Sequence, residues 1–209
     1  PPAVVENAYM HWTPYQDKFY VYTLGSPMSI FRETELSGNS MLTPSGMFGA
    51  GTIRFKGAEI DSRLFAFKHH ELQADTSDLK LYNLNTGELA FRTDNYNSHV
   101  DFKTRKGSFV SNGNASEVVF VKNEIRTNAS AFDWDPIDET ILRFRWDDPY
   151  KDVDIDNTPT RELIDMPGIP ANELISTDPT IGLHFNALSA EFNYTTNIIK
   201  CEGIRFIES

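Results

Sequence analysis

Three aspartates alternate with apolar residues in the segment Asp152-Val-Asp-Ile-Asp156. In an extended chain alternate side chains point to the same side, so these carboxylates would all face one way. Several oxygen ligands on one side suit a hard cation such as Ca²⁺, but an EF-hand would need glycine at its sixth position and glutamate at its twelfth. The sequence has asparagine and leucine there. Asp152, Asp154 and Asp156 are therefore interpreted as an irregular calcium site or, alternatively, as a solvated acidic loop.

A second acidic group follows an aromatic residue, where Phe132-Asp-Trp-Asp135 precedes Asp138 and Glu139. Glycosidases use two carboxyl groups about 5–10 Å apart across a cleft, and the sequence alone does not give that distance. The alternative is a turn at Asp135-Pro136 that presents the acids to water. A glycan-active enzyme that uses the acids at 133–139 is therefore kept as one alternative function.

Other residue types that carry chemistry lack the spacing that catalysis needs. His69-His70-Glu71 does not fit HExxH, and neighbouring imidazoles on a strand would face opposite ways, so we expect an exposed pair. The single cysteine, Cys201, cannot form an internal disulfide, and we expect it to act as a small apolar residue. GxSxG, P-loop and dinucleotide-binding motifs are absent. The sequence predicts no catalytic residue, and hence a protein that is not an enzyme.

Composition narrows the classes of partner. The 209 residues carry a net charge of −11, which disfavours nucleic acid and anionic membrane surfaces because both require neutralising Lys and Arg. The sequence holds no run of 18 apolar residues, so no transmembrane helix is predicted. Hydrophobic residues make up 40% of the chain, including 15 Phe, which predicts a substantial core.

The elements that must position these residues are β-strands. In Thr52-Ile-Arg-Phe-Lys56 apolar and polar residues alternate, which places Ile53 and Phe55 on one face. Similar short strands recur every eight to twelve residues, separated by turn sequences such as Asn85-Thr-Gly87. The pattern predicts an all-β fold, either a β-jellyroll or sandwich or a β-roll of short antiparallel strands, with an open C-terminal strand pair.

The predicted domains are a main β domain over residues 1–146, a linker or excursion over 147–180, and a C-terminal β element over 181–209. The middle segment is rich in Pro and Asp and offers few residues for a core. Within it, residues 160–164 and 172–175 are predicted to form short helical turns. The final element either continues the sheet or starts a repeat, and we expect Ile204–Ile207 to pair with a further strand.

Aromatic residues crowd the N-terminal region, where Trp12, Tyr15, Phe19, Tyr20 and Tyr22 lie close together in sequence. We expect these rings to pack the first strand of the core. The alternative is that they line a groove for a sugar or an acyl chain.

Eight motifs along the chain carry a family resemblance: His11-Trp-Thr-Pro-Tyr15, Leu42-Thr-Pro-Ser-Gly46, Gly51-Thr-Ile-Arg-Phe55, Ser62-Arg-Leu-Phe65, Ala74-Asp-Thr-Ser77, Val100-Asp-Phe-Lys-Thr-Arg-Lys-Gly107, Leu188-Ser-Ala-Glu-Phe192 and Gly203-Ile-Arg-Phe-Ile207. They resemble a family of very large, β-rich envelope proteins of the Bacteroidota. The two closing motifs also resemble, more loosely, the OstA-like β-jellyroll of lipopolysaccharide-transport bridge proteins. The second resemblance implies a periplasmic scaffold or lipid conduit, although the 147–179 excursion departs from its pattern.

Together, these observations predict a non-enzymatic segment of a larger cell-envelope protein, with a structural or lipid-transport role in the periplasm or at the outer membrane. The expected partners are the rest of a larger polypeptide or an envelope protein, bound through edge strands, with acyl lipid or glycan as further ligands. No cofactor is expected apart from the Ca²⁺ considered above. The alternatives are a carbohydrate-binding β-sandwich with a structural calcium site and the glycan-active enzyme.

Overall fold

The computed structural model is built from antiparallel β-strands. It describes residues 3–31, 33–113, 115–135, 140–146, 173–204 and 207–208. Two 3-10 turns, at Pro14–Gln16 and Val121–Asn123, accompany the strands. The strands are β1 (Ala3–Val4), β2 (Ala8–Thr13), β3 (Lys18–Thr23), β4 (Met28–Ile30), β5 (Glu35–Thr43), β6 (Gly46–Phe55), β7 (Ala58–Phe67), β8 (Glu71–Tyr82), β9 (Leu89–Asp94), β10 (Tyr96–Asp101), β11 (Lys106–Ser111), β12 (Glu117–Phe120), β13 (Ile125–Thr127), β14 (Ala131–Trp134), β15 (Ile141–Arg145), β16 (Glu173–Ser176), β17 (His184–Asn186), β18 (Ser189–Asn193), β19 (Ile198–Glu202) and β20 (Ile207–Glu208).

The strands form one sheet that is folded over into two layers. The four long strands β5 to β8 run through both layers, and the shorter strands that follow belong to one layer or the other. The first layer has the order β2-β3-β5-β6-β7-β8-β10-β11-β14-β15-β18-β19. The second layer has the order β1-β4-β5-β6-β7-β8-β9-β12-β13-β16-β17-β20.

The fold between the layers, called here the corner, depends on local departures from regular strand geometry. Gly38 on β5 and Gly51 on β6 have φ angles of 149° and 123°, and a Cβ atom on either would overlap backbone of the other strand. The pairing of β6 with β7 also shifts register, between Gly49 and Gly51 of β6. Bulges of this kind increase local twist and bend a strand. They allow one strand to leave the first layer and enter the second.

Aromatic side chains fill the space between the layers. Phe91 of the second layer lies 5.7 Å from Phe132 and 6.0 Å from Phe192 of the first, measured between ring centroids. Phe120 and Phe144 also meet across the layers, at 5.3 Å. All five of these rings are at most 1% exposed. Such contacts contribute packing energy in addition to the free energy of burying apolar area. The described interior is therefore a packed core.

The side of the sandwich opposite the corner, called here the mouth, is bridged between the layers. Asn83, in the turn after β8, donates a side-chain hydrogen bond to the Thr195 carbonyl oxygen at 2.8 Å. Asn123 donates another to the Asn197 carbonyl oxygen at 3.0 Å. Phe55 of the second layer packs against Phe102 of the first, with ring centroids 5.3 Å apart. These contacts hold the two rows of hairpin turns together.

The predicted all-β sandwich or jellyroll class is confirmed, and so is the alternation at 52–56, because Ile53 and Phe55 are buried while Arg54 is exposed. The predicted helical turn at 172–175 is wrong in its described part, since Glu173–Ser176 is β16 and pairs with both β13 and β17. Pairing on both sides satisfies the backbone, which a single isolated helical turn cannot do. The other predicted turn, at 160–164, lies outside the described residues. The predicted linker over 147–180 is described only from residue 173.

Candidate functional site

The predicted calcium ligands Asp152, Asp154 and Asp156 lie outside the described residues. Of the second acidic group, Asp138 and Glu139 also lie outside them. Asp133 points outward from β14. Its Oδ2 forms an ion pair with Nη1 of Arg145 on the neighbouring strand, and the two atoms are 2.9 Å apart. Both side chains are well exposed. The carboxylate is therefore part of a surface cross-strand pair, which is the ordinary way that a sheet uses opposite charges.

The histidine pair lies at a bend between β7 and β8 instead of on a strand. His69 and His70 are both exposed, as expected, and their rings contact each other edge to face with centroids 4.1 Å apart, so the opposite orientation that a strand would give does not apply here. The adjacent Glu71 does take part in an electrostatic cluster. Its Oε2 lies 3.1 Å from His99 Nε2 and 3.3 Å from Lys68 Nζ. Hydrogen bonds from His99 and then Lys68 lower the pKa of the Glu71 carboxyl.

A depression of about 710 Å³ lies at the corner between β7 and β8. Asp61, Arg63, Asp75 and Asp78 contribute to its lining. Two of these carboxylates already have partners inside the fold. Asp61 accepts a hydrogen bond from the Thr52 hydroxyl and lies 3.4 Å from Lys80 Nζ, and Asp78 accepts one from the Asn95 backbone at 2.9 Å. Asp61 and Asp78 are therefore engaged in contacts between neighbouring strands at the bend.

The N-terminal aromatic residues only partly pack as expected. Phe19 is half-buried, but Trp12 and Tyr15 are 63% and 104% exposed and Tyr22 is 39% exposed. The expectation that these rings pack the core is wrong for the exposed ones. Trp12 lies on β2, which is paired on one side only, Tyr15 lies in the turn after it, and Tyr22 points away from the core on β3. Sequence spacing does not carry this information, since an edge strand and a central strand have the same pattern.

Cys201 behaves as expected of a small apolar residue. It is half-buried on β19, opposite Ala190, and packs against the core. Burial raises the pKa of its thiol, so the neutral form is favoured. A nucleophilic cysteine needs the opposite shift.

The two ends of the sandwich present strands that are paired on one side only. Among the described residues, β2 pairs with β3 alone and β19 pairs with β18 alone. In the second layer β1 and β20 likewise each have one neighbour. Exposed apolar side chains accompany these edges: Trp12 on β2, Ile198 on β19 and Ile207 on β20 are 63%, 54% and 63% exposed. Unpaired N–H and C=O groups beside apolar side chains are a template for a further strand.

The described residues hold no group of three or more His, Cys, Asp or Glu side chains placed to bind a metal ion. In the same ranges there is no helix with the length and apolar character needed to cross a membrane. Comparisons of the chain with protein-family models, with curated proteins and with solved structures found no match.

Proposed function

We propose that this chain is a non-enzymatic segment of a larger cell-envelope protein and serves as a structural scaffold. The observation that carries the proposal is that both layers end in edge strands with exposed apolar side chains at each end of the sandwich. Such edges associate by adding a strand from elsewhere, since backbone hydrogen bonds then continue across the junction. The partner is the rest of a larger polypeptide or another β-rich envelope protein.

The packed interior favours a structural role over a lipid-carrying one. A conduit for acyl chains requires an open apolar groove between the layers, whereas here Phe rings from both layers meet in the middle. The mouth is bridged by the Asn83 and Asn123 side chains. Lipid would have to displace these contacts, and a dense core resists that change.

The proposal is tested by fractionating cells that produce the tagged protein and measuring how much remains with the envelope. The variants are Trp12→Lys on β2 and Ile198→Lys on β19, combined in one chain, because charge on an edge strand opposes strand addition. Val110→Lys is the matched control, since Val110 is also exposed, at 49%, but lies on the central strand β11. Wild type and control should remain with the envelope, and the double edge variant should be released. Equal retention of all three proteins would overturn the proposal.

A further inference from the structure

Four aromatic rings form a two-by-two array on the hairpin of β2 and β3. Tyr9 lies opposite Tyr22, and His11 lies opposite Tyr20. The ring centroids are 6.0 Å apart in the first pair and 6.3 Å apart in the second. Along β3, the Tyr20 and Tyr22 rings are 6.4 Å apart and nearly parallel, with an interplanar angle of 17°. These four residues are called the aromatic array.

The aromatic array lies on the outer face of the first layer. Val21, between Tyr20 and Tyr22 on β3, packs against the core, so its two neighbours point away from it. Exposure agrees with this direction, because Tyr9 is 57% and Tyr22 39% exposed. On the next strand, Asn39 lies opposite Tyr22 and Met41 lies opposite Tyr20. The rings therefore form part of a solvent-facing surface.

The array combines apolar rings with free polar groups and carries no carboxylate, ammonium or guanidinium group. Among the residues that the structure describes, the phenol hydroxyls of Tyr9, Tyr20 and Tyr22 have no hydrogen-bond partner. An apolar protein surface covering the array would leave these hydroxyls buried without partners, which costs free energy. A ligand with both apolar faces and its own hydroxyl groups would avoid that cost.

We propose that the aromatic array binds a neutral polysaccharide. The C–H face of a pyranose ring packs on aromatic rings, and its hydroxyl groups can exchange hydrogen bonds with the phenols and with the amide of Asn39. Acidic polysaccharides are disfavoured because the chain has a net charge of −11 and the array contains no Lys or Arg side chain. This site goes beyond the proposed scaffold function: it uses the face of the β2–β3 hairpin, whereas the scaffold function uses the strand edges.

Affinity gel electrophoresis of the folded chain in gels containing laminarin, barley β-glucan, xylan or galactomannan tests the proposal, with polygalacturonate as the acidic comparison. At least one neutral polysaccharide should retard the wild-type protein, and polygalacturonate should not. Titration calorimetry with a hexasaccharide of the polysaccharide that retards the protein then gives the Kd of that complex. Tyr22→Ala and Tyr9→Ala should each weaken binding about tenfold, as expected for loss of one aromatic contact. Tyr22→Phe, which keeps the ring, should weaken it less.

Tyr15→Ala is the matched control, because Tyr15 is a fully exposed tyrosine in the turn of the same hairpin but lies outside the array. It should bind like wild type. The proposal is overturned if no neutral polysaccharide retards the protein, or if Tyr15→Ala weakens binding as much as Tyr22→Ala. It is also overturned if Tyr22→Ala instead abolishes self-association, since the array would then be a protein interface. Thermal unfolding of each variant shows whether the protein remains folded. If Tyr22→Ala does not fold, the affinity of Tyr22→Phe is compared with that of the wild type instead.

Discussion

At the scale of single residues, Glu71 shows how the sheet brings together groups that are far apart in the sequence. Glu71 begins β8, Lys68 lies three residues earlier, and His99 comes from β10, where it pairs with Gln73. His99 is 28 residues away from Glu71 along the chain. No local motif indicates this pair, because strand register alone creates it.

The Glu71 carboxyl should titrate below the ordinary pKa of glutamate. Because its pKa is lowered in the native protein, ionised Glu71 contributes stability at pH values above the pKa that this carboxyl has in the unfolded chain. That contribution is lost as the pH falls through the native pKa of Glu71. Replacement of His99 by Ala removes the largest cause of the shift, so the pKa should move part of the way back, with Lys68 still present. Carboxyl chemical shifts recorded by NMR against pH measure this. An unchanged Glu71 pKa in the variant would contradict the assignment.

The Cys201 thiol should react slowly in the folded protein. Burial raises its pKa, and the thiolate is the reactive form, so less of it is present at a given pH than in the unfolded chain. At pH 8 a disulfide reagent should modify the native protein several-fold more slowly than the urea-unfolded protein. The same chain in urea is the control for intrinsic reactivity. Equal rates in the two states would show that the thiol is accessible and unshifted.

At the scale of strands, alternation of apolar and polar residues was sufficient to predict many of the elements and their buried faces. It predicts Ile53 and Phe55 inside, and it places Phe65 and Phe67 opposite the exposed Leu64. It does not indicate where a long strand leaves one layer for the other, because both halves have the same period of two. For the same reason it does not show that β2 is an edge, where Trp12 is exposed.

The close approach of β5 and β6 at the corner should make Gly51 sensitive to substitution. A Cβ atom there would overlap the Ser37 carbonyl oxygen, and φ is 123°. Gly51→Ala should lower the free energy of unfolding by about 3 kcal/mol, through backbone strain and overlap together. Gly87→Ala is the matched control, since Gly87 also has a positive φ, of 72°, but has open space around it. Measured by urea unfolding, the control should lose about 1–2 kcal/mol of unfolding free energy relative to the wild type. Equal losses would mean that the corner is not tightly packed.

At the scale of the whole molecule, one core joins the two layers from β4 to β18. Residues from most strands contribute to it, including Leu174 after the 147–172 segment and Ile30 before the corner. The composition, with its many Phe residues, predicts such a core, but which rings meet across the layers depends on the folding of the sheet. The proposed scaffold function depends on this core being closed.

Phe91 should be among the residues on which the joining of the layers depends. Its ring is fully buried and contacts Phe132, Phe144 and Phe192 of the opposite layer. Phe91→Ala should cost about 3–5 kcal/mol of unfolding free energy because it removes buried area and leaves a cavity. Leu64→Ala, at a position 57% exposed, should change it by less than about 0.5 kcal/mol. A small loss in Phe91→Ala would indicate a loosely filled interior.

Native mass spectrometry of the 209-residue chain, produced in cells and purified gently, tests the central claim most directly, that the sandwich is a packed structural module. The predicted result is the mass of the polypeptide alone, 23.7 kDa, or multiples of it, with no acyl lipid attached. Such a spectrum agrees with the filled space between the layers and the bridged mouth. A reproducible extra mass that fragments to an acyl lipid would contradict the claim, because the layers would then have to open and hold a ligand.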